Sequence, residues 1–282
     1  MLADQSIERL LRRDHGSQGH EPGTHGNTRK RILSRKARKM TSQESIKGKV
    51  VLVTGATGNL GQTFVRRLLE SGAVVAAVHR DESKFRDLFT STGGTEDSLS
   101  GFIADVTSEA QVRGVMDSVI QQFGRVDALV NLVGVYRGGA DIAETSEDDW
   151  DHLMGTNLKS AFLCCRAVLP AMIKAGAGHI ICVAARPAIE KKGRARSGAY
   201  AVSKAGIVIL TEAIAEETRK SGITANCVVP GTISSPANRA AFAGADASKW
   251  TPPGDIAEVL LFLVSDASSV ISGAAIPVYG KS

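Results

Sequence analysis

From residue 49 onward, short apolar runs alternate with longer segments whose apolar residues recur every three or four positions. Lys49–Thr54 (KVVLVT) is apolar and β-branched without polar alternation, the pattern of a strand buried on both faces. Gly55-Ala56-Thr57-Gly58-Asn59-Leu60-Gly61 follows, and then a segment in which Phe64, Leu68 and Leu69 share one helical face and Gly72 marks the stop. A second apolar run, Ala73–Val78, completes a strand, glycine-rich turn, helix and strand. The same reading predicts strands within Leu99–Val106 and over Val126–Gly134, His179–Ala184, Ile223–Pro230 and Gly273–Tyr279. Helices are predicted after Thr107 or Ser108, which cap the segment behind the third strand, over Ser146–Gly176, from Ser197 toward Gly222, and over Pro253–Ala267. Strands that alternate with helices predict an α/β fold. It is a single Rossmann-type doubly wound domain with a seven-stranded parallel sheet, taking ligands at the strands' carboxyl ends. There is no internal repeat and no second domain in the pattern.

Composition changes this picture only at the amino terminus. With 282 residues and 43% hydrophobic content, one large domain can bury a full core. No run approaches the roughly 18 apolar residues of a membrane span, so no membrane association is expected. Cys164, Cys165, Cys182 and Cys227 lie in apolar runs without CxxC spacing, and read as reduced packing residues of a cytoplasmic protein. No metal site is expected. The net charge of +5 is unevenly placed: residues 1–40 hold ten Lys/Arg against four Asp/Glu, and the remainder holds 24 against 25. Residues 1–46 are therefore expected to be a disordered basic extension, with Met40 as a candidate true start and 47–282 as the domain. Asp4, Glu8, Asp14 and Glu21 argue against a transit peptide, and no apolar h-region is present. A nucleic-acid partner is not expected. It would show as salt-sensitive binding lost with residues 1–39.

Two features carry chemistry. In the first turn, Gly55 permits the tight bend, Gly58 a close backbone approach and Gly61 close packing of helix on strand; a pyrophosphate would sit at the helix amino terminus. The second strand ends at His79-Arg80-Asp81. His79 stands where an acid would select NAD, and Arg80 can pair a 2′-phosphate, so NADP is favoured over NAD. The other feature is Tyr200 and Lys204. A spacing of four puts them one turn apart on one helical face, where an ammonium would favour the phenolate and lower the tyrosine's pKa for acid–base work.

With these residues in hand, the chain resembles the short-chain dehydrogenase/reductase family from Lys47 to Gly280. The resemblance rests on Thr54–Gly61, Asp105, Asn131-Leu132-Val133-Gly134, Asn157, Tyr200 with Lys204, and Pro230-Gly231. It implies cofactor contacts at Gly55, Thr57, Gly58, Asn59, Leu60, Gly61, His79, Arg80, Asp105, Val106, Asn131, Val133, Gly134, Tyr200, Lys204, Pro230, Gly231 and Ile233. It also implies catalytic roles for Tyr200, Lys204 and Asn157, with Asn157 positioning Lys204 through a water, a small-molecule substrate, and a homodimer or homotetramer. Three departures are similar to dihydropteridine reductase-like members that lack the family's serine. The glycines fall as G-x-x-G-x-x-G, and Ala184-Ala185 ends the fifth strand where a serine is usual. The segment Ser235–Pro252 is short and carries Trp250. On that resemblance Tyr136, Ala185 and Trp250 are expected at the substrate. The activity implied is hydride transfer from NAD(P)H to a small carbonyl or quinonoid, pterin-like group, with Tyr200 as proton donor. The alternatives are an ordinary 3-oxoacyl or carbonyl reductase, and a weakly active nucleotide-sensing regulator.

Overall fold

A computed structural model of the chain describes residues 45–281. The expectations for residues 1–44, including the Met40 start, lie outside the described residues. Ser45 and Ile46 are buried, and Ile46 packs with Val51, Phe64 and Leu68. The domain therefore begins before the boundary expected at residue 47, because Ile46 is a core residue.

Seven strands form one sheet in the order β3-β2-β1-β4-β5-β6-β7: β1 Val50–Thr54, β2 Val74–His79, β3 Leu99–Ile103, β4 Ala128–Asn131, β5 Gly178–Val183, β6 Ile223–Pro230 and β7 Ala275–Val278. Every pairing is parallel. β1, β4, β5 and β6 are buried along their whole length, which is why their sequences show no polar alternation. The chain order reverses between β1 and β4, and the crevice at their carboxyl ends is the site such sheets offer a ligand.

Helices cover both faces. They are α1 Asn59–Glu70, α2 Glu82–Thr92, α3 Glu109–Phe123, α4 Glu147–Leu153, α5 Ser160–Ala175, α6 Arg186–Ile189, α7 Gly198–Glu217, α8 Pro236–Ala241 and α9 Pro253–Val264. On one face Val119, Val168, Met172, Ile207 and Ile214, from α3, α5 and α7, pack on Leu129, Ile180 and Val229. On the other, Phe64 and Leu68 of α1 and Ile256 and Leu260 of α9 pack on Val53, Val130 and Val228. Helix α1 ends as the sequence predicts: Gly72 has φ 75°, and Ala73 N–H closes on the Leu68 carbonyl at 3.0 Å. Among the described residues, α7 alone is long and apolar enough to cross a membrane, and half of that stretch is buried inside the domain.

The predicted helix Ser146–Gly176 is interrupted. Between α4 and α5 the residues Met154–Lys159 form a π-helical turn, with Asn157 wholly buried in it. An extra residue per turn rotates the following helix and is a common device at functional sites. Asn157 is the residue it aims inward.

Candidate active site

The cradle at the carboxyl end of β1 is shaped by backbone. Gly55 has φ 69°, and a Cβ there would meet the Leu132 carbonyl carbon and Val133 nitrogen at 3.1 Å. A Cβ on Gly61 would sit 2.2 Å from the Gly55 oxygen, so only glycine lets α1 begin against the turn. Gly58 caps α1 with no side-chain bond and no acid in the first turn, which leaves the helix amino terminus open to an anion. Thr57, Asn59 and Leu60 complete the loop, with the Thr57 carbonyl accepting from Gln62 Nε2 at 2.9 Å. These features fit a dinucleotide pyrophosphate.

The next strand ends sort the expected cofactor residues into two groups. Arg80 is exposed, and its charge acts on Asp105, which places the two together beyond β2 and β3. The Asp105 carboxyl is held below its ordinary value by hydrogen bonds from the Thr107 backbone and hydroxyl, at 2.9 and 2.8 Å. Val106 beside it is buried. His79 belongs to the second group, whose side chains turn into the protein. Its ring is buried and stacks on Phe85 with centroids 4.7 Å apart and planes 5° from parallel, so its side chain is engaged in packing. Burial lowers its pKa against the pull of Glu82. Asn131 likewise directs its side chain into the core. It takes a bond from Thr54 Oγ1 at 3.3 Å and donates to Cys165 and Cys182 Sγ, both at 3.5 Å. Only its backbone remains for a ligand. The four cysteines are free and buried.

Tyr200 and Lys204 lie on α7 as the spacing requires. The ammonium of Lys204 is buried and donates to the Val183 carbonyl at 3.0 Å. A Cβ on Gly134 would be 2.8 Å from that nitrogen and 3.3 Å from Asn157 Oδ1, so Gly134 is the gap that admits both groups. Burial pushes the Lys204 pKa down to about 8. Burial also raises the Tyr200 phenol above its ordinary range. The expected lowering is absent because desolvation outweighs the ammonium one turn away. Asn157 Oδ1 accepts from Val135 N–H at 2.8 Å, and its Nδ2 donates to the Val135 carbonyl at 3.1 Å and to Ser203 Oγ at 2.9 Å. Its direct partners are thus the β4 loop and Ser203 of α7.

At the substrate side, Ala185 is buried just beyond β5 and starts α6. The serines near Tyr200 are engaged elsewhere: Ser203 Oγ donates to the Tyr200 carbonyl at 2.8 Å, and Ser197 Oγ donates to the Gly193 carbonyl. Tyr136 leans edge-on against Tyr200, centroids 4.9 Å apart. Phe242 continues the aromatic run to Tyr136 at 5.8 Å and to Trp250 at 6.3 Å. Phe242 was missed because a single aromatic in an Ala/Gly-rich stretch shows no periodicity. Pro230, Gly231 and Ile233 lead into this segment. Gly231 N–H bonds the Val278 carbonyl at 3.1 Å, and Ile233 forms a parallel bridge with Thr251 that ties its base. Among the described residues no cluster of His, Cys, Asp or Glu is arranged to hold a metal ion.

Comparison with known proteins agrees with this geometry. Residues 49–246 match the short chain dehydrogenase family. The chain is 35% identical over 243 residues, 83% of its length and 96% of the relative's, to the BbsD subunit of (2S)-[(R)-hydroxy(phenyl)methyl]succinyl-CoA dehydrogenase of Thauera aromatica. It is 32% identical, over 83% of this chain and 98% of that one, to the 3-oxoacyl-[acyl-carrier-protein] reductase FabG of Thermotoga maritima. A solved short-chain dehydrogenase/reductase from Burkholderia xenovorans superposes with a TM-score of 0.78 at 32% identity, covering 84% of this chain and 97% of that one. The chain therefore belongs to the short-chain dehydrogenase family and is an NAD(P)-dependent oxidoreductase.

Proposed function

We propose that the protein reduces a carbonyl group of a small molecule, with Tyr200 as the proton donor and NADP preferred as cofactor. The observation that carries this reading is geometric: Tyr200 stands on α7 one turn before Lys204, whose buried ammonium is fixed by the Val183 carbonyl at 3.0 Å, and its phenol is a proton donor at neutral pH. The bound NAD(P)H supplies the hydride. As the substrate oxygen gains electron density it takes the Tyr200 proton, and the Lys204 ammonium, one turn away, stabilises the phenolate left behind. Gly55, Gly58 and Gly61 hold the pyrophosphate, and Arg80 takes the 2′-phosphate beside Asp105. Asn157 fixes the β4 loop against Ser203 on α7 and so keeps Lys204 beneath Gly134.

The aromatic run Tyr136–Phe242–Trp250 favours a second reading, a flat quinonoid or pterin-like substrate that accepts hydride without a polarising hydroxyl at Ala185. A homodimer or homotetramer would cover Phe162 of α5 and Ile209 of α7, which are 42% and 65% exposed.

The test follows NADPH and NADH oxidation with a 3-oxoacyl thioester and with a quinonoid dihydropterin, for the native chain and Tyr200→Phe. Turnover of the thioester, lost in Tyr200→Phe while cofactor binding persists, supports the first reading. Turnover of the pterin alone selects the second. Cofactor binding without turnover of either would point to a sensor.

A further inference from the structure

The mouth of the site carries a charge pattern that this chemistry does not use. Between Ala185 and Tyr200 the chain places Arg186, Lys191, Lys192, Arg194 and Arg196 against a single acid, Glu190. Glu190 is taken by Arg186, at 2.7 Å. Among the described residues, Lys191, Lys192, Arg194 and Arg196 are exposed and none has a carboxylate within ion-pair distance. The rest of the chain beyond residue 40 holds 19 Lys/Arg against 24 Asp/Glu, so this stretch concentrates positive charge in an otherwise acidic domain. A merely solvated face mixes its signs, because like charges in one loop repel.

The loop is also held in place. Arg196 is the one non-glycine residue with positive φ, 58°, among the described residues. Its carbonyl accepts from Gly139 N–H at 2.6 Å, and its guanidinium donates to the Gly139 carbonyl. That reciprocal pair joins the loop to the segment after β4. It closes a pocket of about 50 Å³ lined by Arg137, Gly138, Asp149, Arg196 and Gly198 at the start of α7. Asp149 pairs with Arg137, so Arg196 is the uncompensated charge in the pocket. Its guanidinium has five N–H donors, and a carbonyl engages one. Tyr136 links this pocket to the reacting group: its ring rests on Tyr200, and a Cβ on Gly138 would be 2.4 Å from its hydroxyl.

We propose that this rim receives an anionic group of the substrate, a phosphate or carboxylate carried by the molecule whose carbonyl is reduced. Arg196 binds the group at the pocket, and Lys191, Lys192 and Arg194 supply the attracting field. Guanidinium forks match both anions. The inference rests on the reductase reading only in taking the ligand to be its substrate.

The test uses the full chain saturated with its tighter cofactor, so that the dinucleotide cradle is filled. Calorimetric titrations compare coenzyme A, glutarate and uncharged pantetheine. Coenzyme A or glutarate is expected to bind at least tenfold more tightly than pantetheine, and several-fold more weakly at 200 mM than at 50 mM salt. The anion that binds identifies phosphate or carboxylate as the group. Arg196→Gln is expected to weaken it tenfold and Lys191→Gln/Lys192→Gln threefold, with Lys220→Gln at the far end of α7 as the unchanged control. The exposed lysine pair keeps the test valid if Arg196→Gln relaxes the loop. Equal affinities for charged and uncharged probes, or undiminished binding in both variants, overturns the rim. Anion binding without turnover in the assays above overturns the reductase reading instead.

Discussion

The two halves of the site are built by opposite means. Around β1 and α1 the cofactor cradle is made of backbone, and its tolerances are set by van der Waals contact: 2.2 Å for a Cβ at Gly61, 3.1 Å at Gly55. Across Tyr200 the proposed substrate mouth is made of long side chains on loops, with Tyr136 and Phe242 exposed and four cations that have no carboxylate within ion-pair distance among the described residues. A dinucleotide is one constant ligand, so its site can be rigid and sterically exclusive. Substrates vary, and a loop can change its side chains without disturbing the sheet beneath it. Tyr200 and Lys204 stand on the boundary, on a helix packed into the core.

The largest test of that division is at the boundary. Tyr200→Phe is expected to lower kcat by roughly a hundredfold to ten-thousandfold, the usual weight of a positioned acid. NADPH affinity, followed by fluorescence titration, should stay within a factor of two or so of the native value. Steady-state kinetics with a thioester substrate would break the assignment if the variant kept its rate. Gly61→Val attacks the rigid half. Its side chain cannot coexist with the Gly55 carbonyl, so the turn must move, at about 1–3 kcal/mol of stability, and cofactor binding should be lost. Thermal melts with and without NADPH report both effects, and a full cofactor-induced rise in Tm would contradict the cradle.

Phe242→Ala and Trp250→Ala test the adaptable half. Each removes an aromatic contact of about 0.5–1.5 kcal/mol, so KM should rise roughly twofold to tenfold. Cofactor affinity should not change. A kcat loss without a KM change would move these residues from binding to chemistry.

The smallest effect lies at the opposite end of the sheet. His179 is buried at the start of β5, with Nδ1 2.9 Å from Thr224 Oγ1. Its Nε2 is 3.4 Å from Lys49 Nζ and 3.7 Å from Asp266 Oδ1. Burial, then the Lys49 charge, lower its pKa, against Asp266 and Asp127. The folded state thus prefers neutral imidazole. Its contribution is complete above the unfolded pKa near 6.5 and is lost as pH falls through the lower folded value. His179→Gln should flatten the fall in Tm between pH 7.5 and 5 while leaving the pH dependence of kcat unchanged. An equally steep fall in the variant would assign the acid sensitivity to other groups, His79 first, since burial lowers its pKa as well.

Much of the cradle was legible because its signals are local. Ile223–Pro230 is the predicted strand to the residue, and Gly55 and Gly61 carry steric demands that a turn imposes on its own sequence. The strand ends at His79 and Asn131 were less legible. Period-two alternation cannot say which way the last side chain turns, and packing on Phe85 and on Cys165 and Cys182 decided it. The π-helical turn at Met154–Lys159 was invisible for a related reason: one added residue shifts the apolar repeat by a single position, within the ordinary scatter of the pattern, while rotating all that follows.

By itself the sequence determined the doubly wound sheet, the glycine cradle, and the placement of Tyr200 and Lys204 on one helical face. Each of these follows from residues close together in the chain. The tertiary structure alone decided the ionisation of that pair, the partners of Asn157, and the meeting of Tyr136 with Phe242 and Arg196 with Gly139. Desolvation and loop-to-loop contact depend on segments far apart in sequence, and no local pattern encodes which of them will touch.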